Sequence, residues 1–189
     1  SPSTHARNVM SNSILLDLSG VGFEKQPNLL RKSLLEMRDK GKYWKEAKDA
    51  NLLGHEFVGG EIAELIDNFD RPAESVVGKI WNATKRLPGK AYQGAEQWFK
   101  LAKFIDEREG GATIKEAAEQ AEKWLFNYQK VSPFVQAARR SPIGIPFLTF
   151  TAKSIPRVLE TAVENPLRLY KYKVMFDAIE NVAQERLGI

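Results

Sequence analysis

Cysteine is absent from all 189 residues. Disulfide frameworks, cysteine-ligated zinc and thiol nucleophiles are excluded together, and nothing covalent stops the chain from being unfolded and threaded. Histidine is nearly absent too, with only His5 and His55. Neither lies in an HExxH frame, and a zinc site without cysteine would need carboxylates for most of its ligands. His55-Glu56 has no third group nearby in sequence to position it, so it reads as a surface-loop histidine rather than a catalytic dyad. Strand signals are missing: no sustained period-2 alternation, no Asn-Gly or Asp-Gly hairpin. No apolar run approaches the ~18 residues that a membrane-spanning helix needs. The most apolar one, Ile143 to Phe150, is short and interrupted by Pro146. Gly20-Val21-Gly22 lacks a preceding strand and a third glycine, so it is a helix stop and no dinucleotide fingerprint. No P-loop, GxSxG elbow or paired carboxylates in a catalytic frame occur. Asn82-Ala83-Thr84 matches a glycosylation sequon without any other sign of a secretory route.

What is present is ordinary globular composition, with 43% hydrophobic and 28% charged residues, enough for a core in one domain or two small ones. The net charge of +4 permits contact with nucleic acid or anionic lipid without demanding either. Helical periodicity dominates. A first helix is expected over Thr4 to Leu18, stopped by Gly20 and Gly22, and a second over Pro27 to Lys40, with Leu30, Leu34 and Met37 as its stripe and Gly41 as its end. Short helices follow at Tyr43 to Asn51 and Gly60 to Phe69, punctuated by Gly54, Gly59 and Gly60. Asp70 and Pro72 suggest the start of a helix running to Leu87. Ala91 to Glu109 is the clearest amphipathic segment, with Trp98, Leu101, Ala102 and Ile105 at helical spacing. Thr113 with Glu116 forms a capping box for a helix to Lys130 that turns Ile114, Ala117, Ala121, Trp124, Leu125 and Tyr128 inward.

Near residue 131 the texture changes. Five of the nine prolines lie between Pro133 and Pro166, leaving room only for short helical turns between them. A last helix is expected from Pro166 to Leu187, with Leu167, Tyr170, Val174, Ala178 and Val182 along one side. The expected fold is therefore all-α: an elongated multi-helix bundle over 1–130, then a Pro-rich basic segment and C-terminal helix over 131–189. The opening Ser1-Pro2-Ser3 reads as a boundary within a larger polypeptide. From Arg139 to Lys173, cations interleave with aromatics. Arg139, Arg140, Phe147, Phe150, Lys153, Arg157, Arg168 and Lys171 are the candidate contacts to nucleic acid or a partner. Basic residues with aromatics grip a phosphate backbone, stack on bases or sit at a lipid headgroup layer; alternatively, the aromatics are core and the cations its rim.

Two stretches carry a resemblance. Ser1-Pro2-Ser3-Thr4-His5-Ala6-Arg7-Asn8 with Ser11-Asn12 resembles an NPxTHxRNxxSN segment, with Ser1 where Asn is usual. Gln97 to Ala102, Ala117-Ala118, Trp124 to Tyr128, Ser132-Pro133-Phe134, Ile145-Pro146-Phe147 and Phe150-Thr151 resemble a pattern FKLAxF…EAA…LFDY…TPFE…IPFxxF. In that second pattern Asn127 replaces the common Asp, and Gln136 stands where an acidic residue is usual. Both patterns are those of large polyvalent proteins of phages and mobile elements. The resemblance implies a non-enzymatic internal virion or ejection protein, housed in the capsid interior or tail lumen and delivered into the host cell. It implies partners among copies of itself and portal, tail or ejection proteins, and contact with DNA and the host envelope. No small-molecule substrate and no cofactor are implied, and any enzymatic domain would lie elsewhere in the parent polypeptide. The alternative expectation is a nucleic-acid-binding module using residues 139–173. A helical chain, dominated by local contacts, re-forms readily after passage.

Overall fold

A computed structural model describes residues 12–54, 57, 59–85, 92–125, 157, 160–161, 163–168 and 170. The chain divides into two compact units, Ser1–Asn127 and Tyr128–Ile189. The fold is all-α, with no strand among the described residues. In the first unit the described part of α1 covers residues 12–18; positions 4–11 of the helix expected there lie outside the described residues. It is followed by α2 (Gln26–Asp39), α3 (Lys42–Asp49), α4 (Gly59–Asp70), α5 (Val76–Thr84), α6 (Tyr92–Glu109) and α7 (Ile114–Trp124).

The expected α2 stripe of Leu30, Leu34 and Met37 is buried, and Pro27 occupies its first turn. Its end is built differently from the expectation. Lys40 takes the left-handed conformation (φ 51°), while Gly41 is the N-cap of α3. A Cβ at Gly41 would meet the Glu36 carboxylate and push it from its place. That carboxylate accepts hydrogen bonds from the backbone N–H groups of Tyr43 (2.9 Å) and Trp44 (3.2 Å), capping α3 from the neighbouring helix. A bare backbone lets it close in.

Three further expectations are corrected. Asp70 does not open α5; it is the last residue of α4, and its carboxylate is held by Arg31 (2.8 and 3.1 Å). Ser75 is the cap instead, its hydroxyl accepting from Gly78 N–H, because residues 71–75 bend before the helix starts. Gly59 lies inside the first turn of α4 with Gly60, so the helix begins one residue before the expected start at Gly60. The helix at Thr113 has its capping box as expected, but it ends at Trp124, with Leu125 in a non-helical conformation. Ala117, Ala121, Trp124 and Leu125 are buried, while Ile114 is 39% exposed. Tyr128 lies outside the described residues, as does the Pro-rich stretch from Pro133 to Pro156.

Helix α6 is more than amphipathic. Residues 97–105 are all buried, because α2, α3 and α7 pack around this helix. A helix enclosed on every side forms the axis of its bundle. Trp98 sits at its centre, edge-on to Phe69 (5.5 Å between ring centroids, 82°) and tilted against Phe99 (5.4 Å). Its indole N–H donates to the Leu30 carbonyl at 2.7 Å, so the largest core side chain meets its polar requirement against α2.

Candidate functional site

Of the candidate contacts that the sequence singles out between Arg139 and Lys173, only Arg157 and Arg168 are described. Arg139, Arg140, Phe147, Phe150, Lys153 and Lys171 lie outside the described residues, as do His5, His55 and Glu56. The Arg157 guanidinium stands 3.6 Å from the Glu160 carboxylate one helical turn on, which partly offsets its charge. Asn165 separates two helical stretches, its carbonyl accepting from Arg168 N–H at 3.1 Å. Pro166 follows it in the first turn of the second stretch, where a missing N–H costs nothing. Around this joint Val163, Leu167 and Tyr170 are 84%, 78% and 63% exposed. Leu167 and Tyr170 belong to the apolar stripe expected along one side of the last helix, and the other members of that stripe lie outside the described residues.

In the first unit a groove of about 550 Å³ lies between the end of α3 and α7. Asp49, Leu52, Ile114, Ala118, Glu119 and Glu122 are among its lining residues. Two of these carboxylates face lysines: Glu119 is 3.9 Å from Lys115, and Glu122 is 3.2 Å from Lys100. Asn51 and Lys115 line it as well, and no serine, threonine or histidine is among the lining residues. Among the described residues no group of three His, Cys, Asp or Glu side chains is placed to hold a metal ion.

Polar groups that sequence reasoning missed are buried and matched inside the first unit. Lys100 and Lys103 have side chains only 2% and 1% exposed. Lys103 donates to the Ser19 carbonyl at 2.9 Å and meets Glu107 at 2.5 Å and Asp106 at 3.8 Å. Burial raises the Asp106 carboxyl above its ordinary range, against the opposing pull of Lys103 and Lys25. Gln26 is fully buried and ties α1 to α2: its amide N–H groups donate to the carbonyls of Ser13 (2.9 Å) and Val21 (3.0 Å), and its oxygen accepts from the Ser13 hydroxyl (2.6 Å). These act as structural fasteners, because each buried group is met by a protein partner.

On the outer side α3 carries Tyr43 and Trp44 among lysines. The Lys40 ammonium lies 4.1 Å from the Trp44 ring centroid and that of Lys48 5.6 Å; Lys32 and Lys42 approach Tyr43 at 5.3 and 5.7 Å. The Glu46 carboxylate is held inward by Arg108 at 2.8 and 3.3 Å. That bond depresses the Glu46 carboxyl below its ordinary range. No family model, no curated protein and no solved structure matches this chain.

Proposed function

We propose that this chain is a non-enzymatic helical segment of an internal virion protein. It assembles with copies of itself or with portal, tail or ejection proteins, and helps to carry phage DNA across the host envelope. The sequence patterns shared with large polyvalent phage proteins point to the class. The observation that carries the reading is the trio Val163, Leu167 and Tyr170, left in water within eight residues of the second unit. Burying each such side chain against a partner is worth about 1.5–3 kcal/mol, and clustered apolar side chains on a surface mark assembly sites.

The chemistry of the first unit supports the same reading. Two of its three groove carboxylates, Glu119 and Glu122, face lysines, and its buried polar groups are met by protein partners, an arrangement that favours rigidity over turnover. Mass spectrometry of purified particles of the encoding phage is expected to find the chain inside the virion. A variant carrying Val163→Ser, Leu167→Ser and Tyr170→Ser is expected to fold yet be lost from those particles. Detection of the parent chain only in the cytosol of infected cells would end the proposal.

A further inference from the structure

We infer that the groove between the end of α3 and α7 docks a short basic-aliphatic segment of a partner protein, in which a lysine or arginine stands close to a leucine-like side chain. The apolar part of the groove comes from Ala50 and Leu52 at the exit of α3 and from Ile114 and Ala118 of α7. The core of the first unit takes the other side of α7, through Ala117, Ala121 and Trp124. Ile114 is left 39% exposed, and among the described residues of this unit it is the large apolar side chain that remains in water. A volume of about 550 Å³ falls in the range of ligand-binding clefts, about 300–1,000 Å³, with room for a few side chains of a partner.

The charge that selects the occupant sits at the α3 end. The chain leaves α3 through Asn51 in the left-handed conformation (φ 56°), with Asn51 N–H donating to the Lys48 carbonyl at 2.9 Å and Leu52 N–H to that of Ala47 at 3.0 Å. This turn places Asp49, Ala50, Asn51 and Leu52 together on the groove. Asp49 is exposed, and its carboxylate has no hydrogen bond or ion pair among the described residues. The last turn of a helix adds the negative end of its dipole at the same place. The other two lining carboxylates are already engaged: Glu122 is held by Lys100 at 3.2 Å, and Glu119 stands 3.9 Å from Lys115. One unengaged carboxylate beside an apolar wall fits one cation carried next to one aliphatic group.

Other classes of partner suit the groove less well. Its lining holds three carboxylates and one ammonium, whereas a phosphate backbone and an anionic headgroup layer are both drawn to cations. A peptide segment meets both halves of the site: its aliphatic side chain covers Ile114 and Leu52, which supplies affinity, and its cation at the rim supplies steering and specificity. The inference stands apart from the delivery role proposed above, which rests on exposed residues of the second unit.

The test screens the immobilised full chain against a library of end-blocked hexapeptides whose positions vary among lysine, leucine, serine and glutamate. Peptides with lysine close to leucine are expected to be enriched. The best of them, fluorescently labelled, is then titrated with the parent chain and its variants by anisotropy. Ile114→Ser is expected to weaken binding about tenfold, as loss of one aliphatic contact implies, while Ile114→Leu stays near the parent. Asp49→Asn is expected to weaken it about threefold at low salt and to converge with the parent at high salt, where an exposed pair is screened. Both positions are exposed, so circular dichroism should show unchanged helix content. A screen that enriches nothing, or enriches peptides without lysine or without leucine, overturns the proposal. So does an affinity that neither Ile114→Ser nor Asp49→Asn changes. Self-association of the parent in sedimentation equilibrium, abolished by Ile114→Ser and with no peptide enriched, would make a second copy the occupant and overturn it too.

Discussion

Replacing Gln26 by methionine is expected to cost about 3 kcal/mol of stability, at about 1 kcal/mol for each of three hydrogen bonds. The side chain is fully buried, and methionine keeps its length and flexibility, so the space stays filled and no large cavity term enters. What disappears is the partner of two carbonyls, Ser13 and Val21, and of the Ser13 hydroxyl. With a urea dependence of about 2 kcal/mol per molar, the unfolding midpoint should fall by about 1.5 M. The core indole of Trp98 provides the fluorescence signal. A second arm makes the reasoning refutable. Ser13→Ala alone removes only the 2.6 Å bond to the Gln26 oxygen and should cost about 1 kcal/mol. In the methionine background that bond is already gone, so the same change should cost almost nothing. A midpoint unmoved by Gln26→Met, or an equal cost of Ser13→Ala in both backgrounds, would show that this amide does not fasten α1 to α2.

Glu46→Gln probes the pair with Arg108. The bond lowers the Glu46 carboxyl below its ordinary value of 4.5 in the folded state, so its stabilisation is present above that value and is lost as pH falls through the depressed one. The pair is partly exposed, so the effect is about 1 kcal/mol at neutral pH; the variant's thermal midpoint should be lower there and converge with the parent's in acid. A difference that persists unchanged at low pH would refute the assignment. Thr113→Ala removes the hydroxyl that accepts from Glu116 N–H and should lower stability by about 1 kcal/mol in urea unfolding, whereas Thr113→Ser should leave it near the parent value.

Some of this molecule was legible without coordinates because the relevant forces act within a turn or two of chain. The all-α class follows from the 3.6-residue spacing of apolar positions. The capping box at Thr113 and Glu116 involves two side chains and two backbone groups three residues apart, and needs no tertiary partner. The burial of Trp98, Leu101, Ala102 and Ile105 follows from one face of α6. The basic-aromatic segment was legible only as composition. Its two described cations, Arg157 and Arg168, sit beside side chains whose exposure no periodicity revealed.

Lys100 and Lys103 mark the boundary between the two kinds of information. Their charge alone places them on a solvated face of α6, and local sequence offers nothing against that. They are enclosed because Glu122 of α7 and the Ser19 carbonyl after α1 arrive at their ammonium groups, and a buried cation is tolerable only where such partners meet it. Gln26 is the same case, its three bonds spanning separations of five and thirteen residues. Periodicity and caps encode which residues become helix, because those are neighbour-to-neighbour interactions. Which polar groups can be enclosed is decided only when helices distant in sequence bring donors and acceptors to them.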